Sequence, residues 1–176
     1  MASATDDIAT PLDILASTPF FADVLDADQL QTLSGRLRVA DYAKGATLIR
    51  EDDIGESMFV LASGEVAVTV PGKSGGRQVA TLRAPDIFGE MSLMTGARRA
   101  ATVSARTPVK AIEIPKAALS PLIIASPELA GRFAATLVSR QRELDRLFRG
   151  HGRWSVFLTA GGDVGSVIRR VFDDRR

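Results

Sequence analysis

Between Arg36 and Ile114, β-branched and other apolar residues alternate with polar ones in short runs, and Gly, Pro or Asp interrupts each run. A period of two over so few residues gives each run one apolar face, the pattern of a half-buried strand. The alternation predicts strands at 36–42, 46–50, 57–62, 65–70, 78–83, 101–106 and 109–114. Turns fall at Lys44-Gly45, Asp52-Asp53, Ser63-Gly64, Gly72 to Gly76 and Thr107-Pro108. Seven or eight short strands at regular spacing predict a sandwich or jelly-roll barrel, which hides strand edges by wrapping.

Helical signals flank this region. Residues 1–11 read as a mobile leader, small and polar for most of their length. Leu12, Ile14 and Leu15 open a short helical stretch that Pro19, Phe20 and Phe21 are expected to interrupt. Asp26 with Gln29 has the form of a capping box, and the helix it starts is expected to stop near Gly35. After Pro115 the period returns to helical over 116–149. Ser126-Pro127-Glu128 is a helix start, with serine as cap, proline tolerated at the first position and glutamate facing the positive end of the dipole. That helix carries Leu129, Phe133, Leu137, Leu144 and Leu147 on one side, and Gly150 ends it. The remainder, 150–176, reads as a tail. After a break at Gly161-Gly162, Val164, Val167, Ile168, Val171 and Phe172 recur at helical spacing, predicting a short helix over 164–173. Its stripe, beside Arg169, Arg170, Arg175 and Arg176, suits a partner or a membrane surface, with a frayed helix end as the plainer alternative.

The net charge of +1 provides no long-range field for a polyanion, so anion binding has to be local. The absence of cysteine excludes disulfides and thiolate metal sites, and His151 alone cannot build a zinc or iron site. No stretch approaches the roughly 20 apolar residues that span a bilayer, and no basic leader is present, so a cytoplasmic location is expected.

One segment breaks the strand rhythm: Phe88-Gly89-Glu90-Met91-Ser92-Leu93-Met94-Thr95-Gly96-Ala97-Arg98-Arg99-Ala100-Ala101-Thr102-Val103. Gly89 permits a close turn, and Glu90 to Met94 can form a helical turn whose first N–H groups lack partners, as at any helix start. Such groups favour an anion. Arg99 returns after the Gly96 turn, and its planar fork matches phosphate oxygens. Glu90 suits the same place only if a hydroxyl accompanies the phosphate, and phosphate plus hydroxyl describes a nucleotide. Taken alone, Glu90 and Arg99 also suit a surface ion pair closing a β-loop.

The segment resembles the phosphate-binding cassette of the cyclic-nucleotide-binding domain family, F-G-E-x-[AS]-L followed by R-[AST]-A-T-V. The likeness extends over 12–148, through Glu51-Asp52, Gly55, Met58-Phe59, Gly64 and Val66. Within that family the chain resembles the sensor domains of bacterial cyclic-nucleotide-gated channels and the regulatory subunit of cyclic-AMP-dependent protein kinase. The resemblance implies a mainly β fold, an eight-stranded jelly-roll β-barrel over about 36–114, with an N-terminal helical segment and C-terminal helices over about 116–149. The whole domain would span 12–149. It also implies that Arg99 and the backbone N–H groups of Met91 and Ser92 hold the cyclic phosphate, beside Gly89, and that Glu90 meets the ribose 2′-hydroxyl. Ala100 stands where members preferring cyclic GMP tend to place Thr or Ser, which favours cyclic AMP, with cyclic GMP weaker. Arg98 departs from the proline of many members. Arg140 is the candidate lid residue over the purine, with a solvated surface arginine as the plainer alternative.

The mechanism expected is regulatory: the ligand orders the cassette, and Leu93 and Met94 reposition 116–149 against an effector protein or channel. A domain that kept the fold without the ligand, as a protein interaction module, is the alternative. A helix-turn-helix output is not expected, since 26 residues follow Gly150 without that pattern. No nucleophile–base pair or metal cluster points to an enzyme.

Overall fold

The computed structural model describes residues 9–148 and 163–173. Thr10 and Asp13 cap each other's backbone and start α1 (Pro11–Ala16). α1 ends before Pro19 as expected, and Pro19–Ala22 then forms a helical turn of its own, α2. Proline opens it at the first position, where its missing N–H costs nothing, and Phe20 and Phe21 are buried. The Asp26–Gln29 capping box forms as expected and starts α3 (Ala27–Ser34), with Gly35 as its cap.

Eight strands follow: β1 (Arg38–Tyr42), β2 (Thr47–Ile49), β3 (Ser57–Ser63), β4 (Glu65–Gly72), β5 (Gly75–Arg83), β6 (Ile87–Phe88), β7 (Thr102–Ala105) and β8 (Val109–Pro115). They form two antiparallel four-stranded sheets, ordered β1-β8-β3-β6 and β2-β7-β4-β5, the double-sheet form of a jelly roll. The hairpin expected to open over Gly72 to Gly76 is tighter, since β4 and β5 remain paired out to Gly72 and Gly75. β6 was not anticipated, because two residues are too few to show alternation.

Alternation decides the layering. In β3, Phe59 and Leu61 point between the sheets, while Met58 and Val60 point to the opposite face, against the helices. β8 divides the same way, with Val109 and Ala111 inside the sandwich and Ile112 and Ile114 under the helices. Strands covered on both faces read as continuous apolar runs. The Phe59 and Phe88 rings stack in the sandwich at 5.1 Å between centroids.

Beyond the sheets lie α4 (Glu90–Thr95), α5 (Lys116–Ala125), α6 (Glu128–Phe148) and α7 (Val164–Asp173). Leu129, Phe133 and Leu137 of α6 are buried; the side chains of Leu144 and Leu147, like residues 1–8, Gly150, His151, Gly161 and Gly162, lie outside the described residues. The stripe on α7 faces inward, correcting the expectation of an outward-facing surface: Ile168 and Phe172 join the same core as Met94, Leu119 and Phe133. α7 is also the helix packed most extensively on α4, the place expected for 116–149. Among the described residues no helix is long and apolar enough to cross a membrane.

Candidate ligand-binding site

Strand β6 delivers the chain into Gly89, whose φ of 81° lies in the left-handed region. A side chain there would be strained, and its Cβ would lie 2.7 Å from Arg99 Nη1. Gly89 precedes α4, and the first N–H groups of that helix lack intrahelical acceptors by construction. Arg99 is 7% exposed. Its Nη1 donates to Gly89 O at 2.8 Å and to Ser92 Oγ at 2.7 Å, and its Nη2 donates to Ser57 O. An arginine has five N–H groups. Three of them take these protein acceptors, and the other two have no acceptor among the described residues. Burial lowers the pKa of Arg99, opposed by the charges of Glu90, Asp53, Glu113 and Glu56.

The loop before β3 clasps the cassette at four points. Arg99 N donates to Asp53 O at 2.9 Å, Asp52 N to Arg99 O at 2.8 Å, and Glu51 N to the Thr102 hydroxyl at 3.0 Å. Gly55 is the fourth, because a Cβ there would collide with the Ser92 side chain. The spacing Glu51-Asp52-x-x-Gly55 is thus explained by distances to Arg99, Thr102 and Ser92, which lie about 40 to 50 residues later. Arg98 is exposed and donates to Asp52 O at 2.8 Å, a structural use for the residue that departs from the family pattern.

Glu90 is 4% exposed, and its Oε1 accepts from Arg140 Nε at 3.3 Å. Burial pushes its carboxyl above the usual glutamate range, against the opposing charges of Arg140 and, less, Arg99. Arg140 also donates to Ile87 O at 3.1 Å and lies 3.6 Å from Glu143. It is therefore neither a freely solvated surface arginine nor a residue remote from the site.

Glu90, Met91, Ser92, Arg99, Ala100 and Arg140 line one cavity of about 340 Å³. The same cavity is lined by the apolar side chains of Ile49, Val68, Val79, Ala80 and Leu82, with Ile49 close to Gly89, and by Glu143. Sequence reasoning missed this apolar lining and Glu143; the only signal was the alternation of β4 and β5, which gives a face without saying what it faces. A lining that combines charged groups with apolar side chains suits an anionic ligand of small-molecule size with an apolar part. Among the described residues no group of acidic residues and histidine could hold a metal ion.

The comparisons with known proteins agree with this geometry. A cyclic nucleotide-gated potassium channel of Rhizobium etli is 30% identical over 77% of this chain and 36% of its own length. A CRP-like cAMP-activated global transcriptional regulator of Mycobacterium tuberculosis is 27% identical over 74% of this chain and 58% of its own. The chain thus spans a third to just over half of these relatives. The N-terminal domain of a transcriptional regulator from Streptomyces coelicolor superposes with a TM-score of 0.64 at 29% identity, covering 76% of this chain and 96% of that one. Residues 39–126, half of the chain and the stretch from β1 through α5 that contains the whole cassette, match the family described as cyclic nucleotide-binding domain, and the chain belongs to that family.

Proposed function

We propose that this chain binds cyclic AMP and passes the binding event through its C-terminal helices to an effector, a channel or a partner protein. The observation that carries the reading is the pairing of a buried arginine with a buried carboxylate on one cavity wall. Arg99 is held rigid by three protein acceptors and retains N–H groups for a phosphate, while Glu90 offers an oxygen to a ribose hydroxyl. Gly89 and the backbone of Met91 and Ser92 complete the phosphate end. The apolar wall of Val68, Val79 and Leu82 suits the purine, with Arg140 on α6 as the lid. A channel and a cAMP-activated regulator among the similar proteins support a regulatory role over a catalytic one. The unit that binds is 12–149, and a cysteine-free chain suits the cytoplasm.

Calorimetric titration with cyclic AMP and cyclic GMP tests the reading. Cyclic AMP is expected to bind more tightly. Ala100→Thr is expected to narrow the gap by about 0.5–1.5 kcal/mol, the net worth of one hydrogen bond to the guanine amino group. No heat of binding from either nucleotide would leave a protein interaction module as the reading, and tighter binding of cyclic GMP would reverse the assignment of Ala100.

A further inference from the structure

We infer that α7 positions α4 from behind, so that docking of α7 and nucleotide binding strengthen each other; this rests on the proposed nucleotide site. α4 has two faces. Glu90, Met91 and Ser92 line the cavity, while Leu93 and Met94 join the core that contains Ile168 and Phe172 of α7. Ile168 is 0% and Phe172 3% exposed, so α7 is seated as deeply as any core element. Val171 reaches the end of α4: a Cβ on Gly96 would lie 3.3 Å from Val171 Cγ2. α7 also packs on α5 and α6, and Lys116 Nζ at the start of α5 stands 5.9 Å from the centre of the Phe172 ring.

A helix of six residues cannot hold its own shape in water, so packing on its back fixes α4. α7 is better specified locally. Gly165 N and Ser166 Oγ donate to the Asp163 carboxylate, and Arg169 pairs with it at 3.4 Å. Close-packed side chains transmit displacement, so α4 cannot shift at the cavity without disturbing α7. Binding linkage is reciprocal: if docked α7 favours the binding-competent α4, bound nucleotide favours docked α7.

The test compares the full wild-type chain with Phe172→Ala and, on the exposed face of α7, Arg170→Ala. Without nucleotide, Phe172→Ala is expected to quicken amide exchange in 90–96 and 164–173 by about fivefold or more, leaving 57–63 unchanged. Its affinity for cyclic AMP is expected to fall by a similar factor, while Arg170→Ala matches wild type in both. Should Phe172→Ala fail to fold, the milder Val171→Ala takes its place. In wild type, saturating cyclic AMP is expected to slow exchange in 164–173. Faster exchange in 164–173 with 90–96 unchanged would overturn the inference, as would a protected 90–96 beside an unaffected 164–173 in the nucleotide-bound protein. If cyclic AMP does not bind wild type at all, the proposed function fails, and the nucleotide-free comparison still decides whether α7 positions α4.

Discussion

The two cores of this protein lie on opposite faces of the β1-β8-β3-β6 sheet and are made differently. The sandwich core gathers Phe59, Leu61, Val66, Val68, Phe88 and Val103 from strands joined by backbone pairing, so its shape cannot change without breaking ladders of hydrogen bonds. The helix-side core gathers side chains from Leu15 to Phe172, on separate helices and on the outer face of one sheet, held mainly by packing, with Arg140 adding hydrogen bonds to Ile87 O and Glu90. Helices held that way shift at a cost of a few kcal/mol. Phe88 belongs to the first core and Met91 to the second, with the buried Glu90 between them. Under the proposed function, the strand-built side of the site would stay in place and the helix-built side would carry the signal.

Matched substitutions probe that difference most strongly. Leu61 and Leu137 are both 0% exposed, one in each core. Leu61→Ala and Leu137→Ala are each expected to lose about 2–5 kcal/mol in denaturant unfolding. Calorimetry on the folded proteins should then separate them, with cyclic AMP affinity kept in Leu61→Ala and weakened in Leu137→Ala. Equal affinities would erase the distinction between the cores.

Arg99→Ala acts at the cassette itself. It removes the guanidinium bonds to Gly89 O, Ser57 O and Ser92 Oγ, at a cost of about 1–3 kcal/mol in stability. Binding of cyclic AMP is expected to weaken by about 1.5–3 kcal/mol or more. A folded Arg99→Ala protein with wild-type affinity would take the arginine out of the site and leave it a structural clamp.

The smallest effect concerns Glu90, whose carboxyl burial holds above its ordinary 4.5. The folded state then binds the proton more tightly than the unfolded state. This group's contribution to stability is complete below the unfolded value and is lost as pH rises through the higher folded value. Glu90→Gln removes the titration while keeping an oxygen toward Arg140. Its denaturation midpoint should therefore gain on wild type as pH rises from about 4 to about 7. A wild type that gains instead would mean that the charges of Arg140 and Arg99 outweigh burial, and that the Arg140–Glu90 pair stabilises the folded protein.

Much of this was legible in the amino acids. The alternation of β3 and β4, the Asp26–Gln29 box and the start of α6 at Ser126-Pro127-Glu128 all depend on residues within one or two turns of each other. The cassette was legible for the same reason, since Gly89, Glu90, Ser92 and Arg99 lie within eleven consecutive residues. What escaped was whatever needed a partner from far along the chain. Ile87–Phe88 is a strand only because β3 lies beside it, with Phe59 opposite Phe88. Pro19–Ala22 is helical because Phe20 and Phe21 are drawn into the core, Phe20 against Phe133 at 5.4 Å. The stripe on α7 announced an amphipathic helix, but the choice between a foreign surface and its own core lay with the apolar back of α4, some 75 residues earlier. Arg140 likewise met Glu90 across 50 residues. Local propensity and short-range pattern are written into neighbouring residues, whereas burial and charge pairing are properties of surfaces that exist only once the chain has closed on itself.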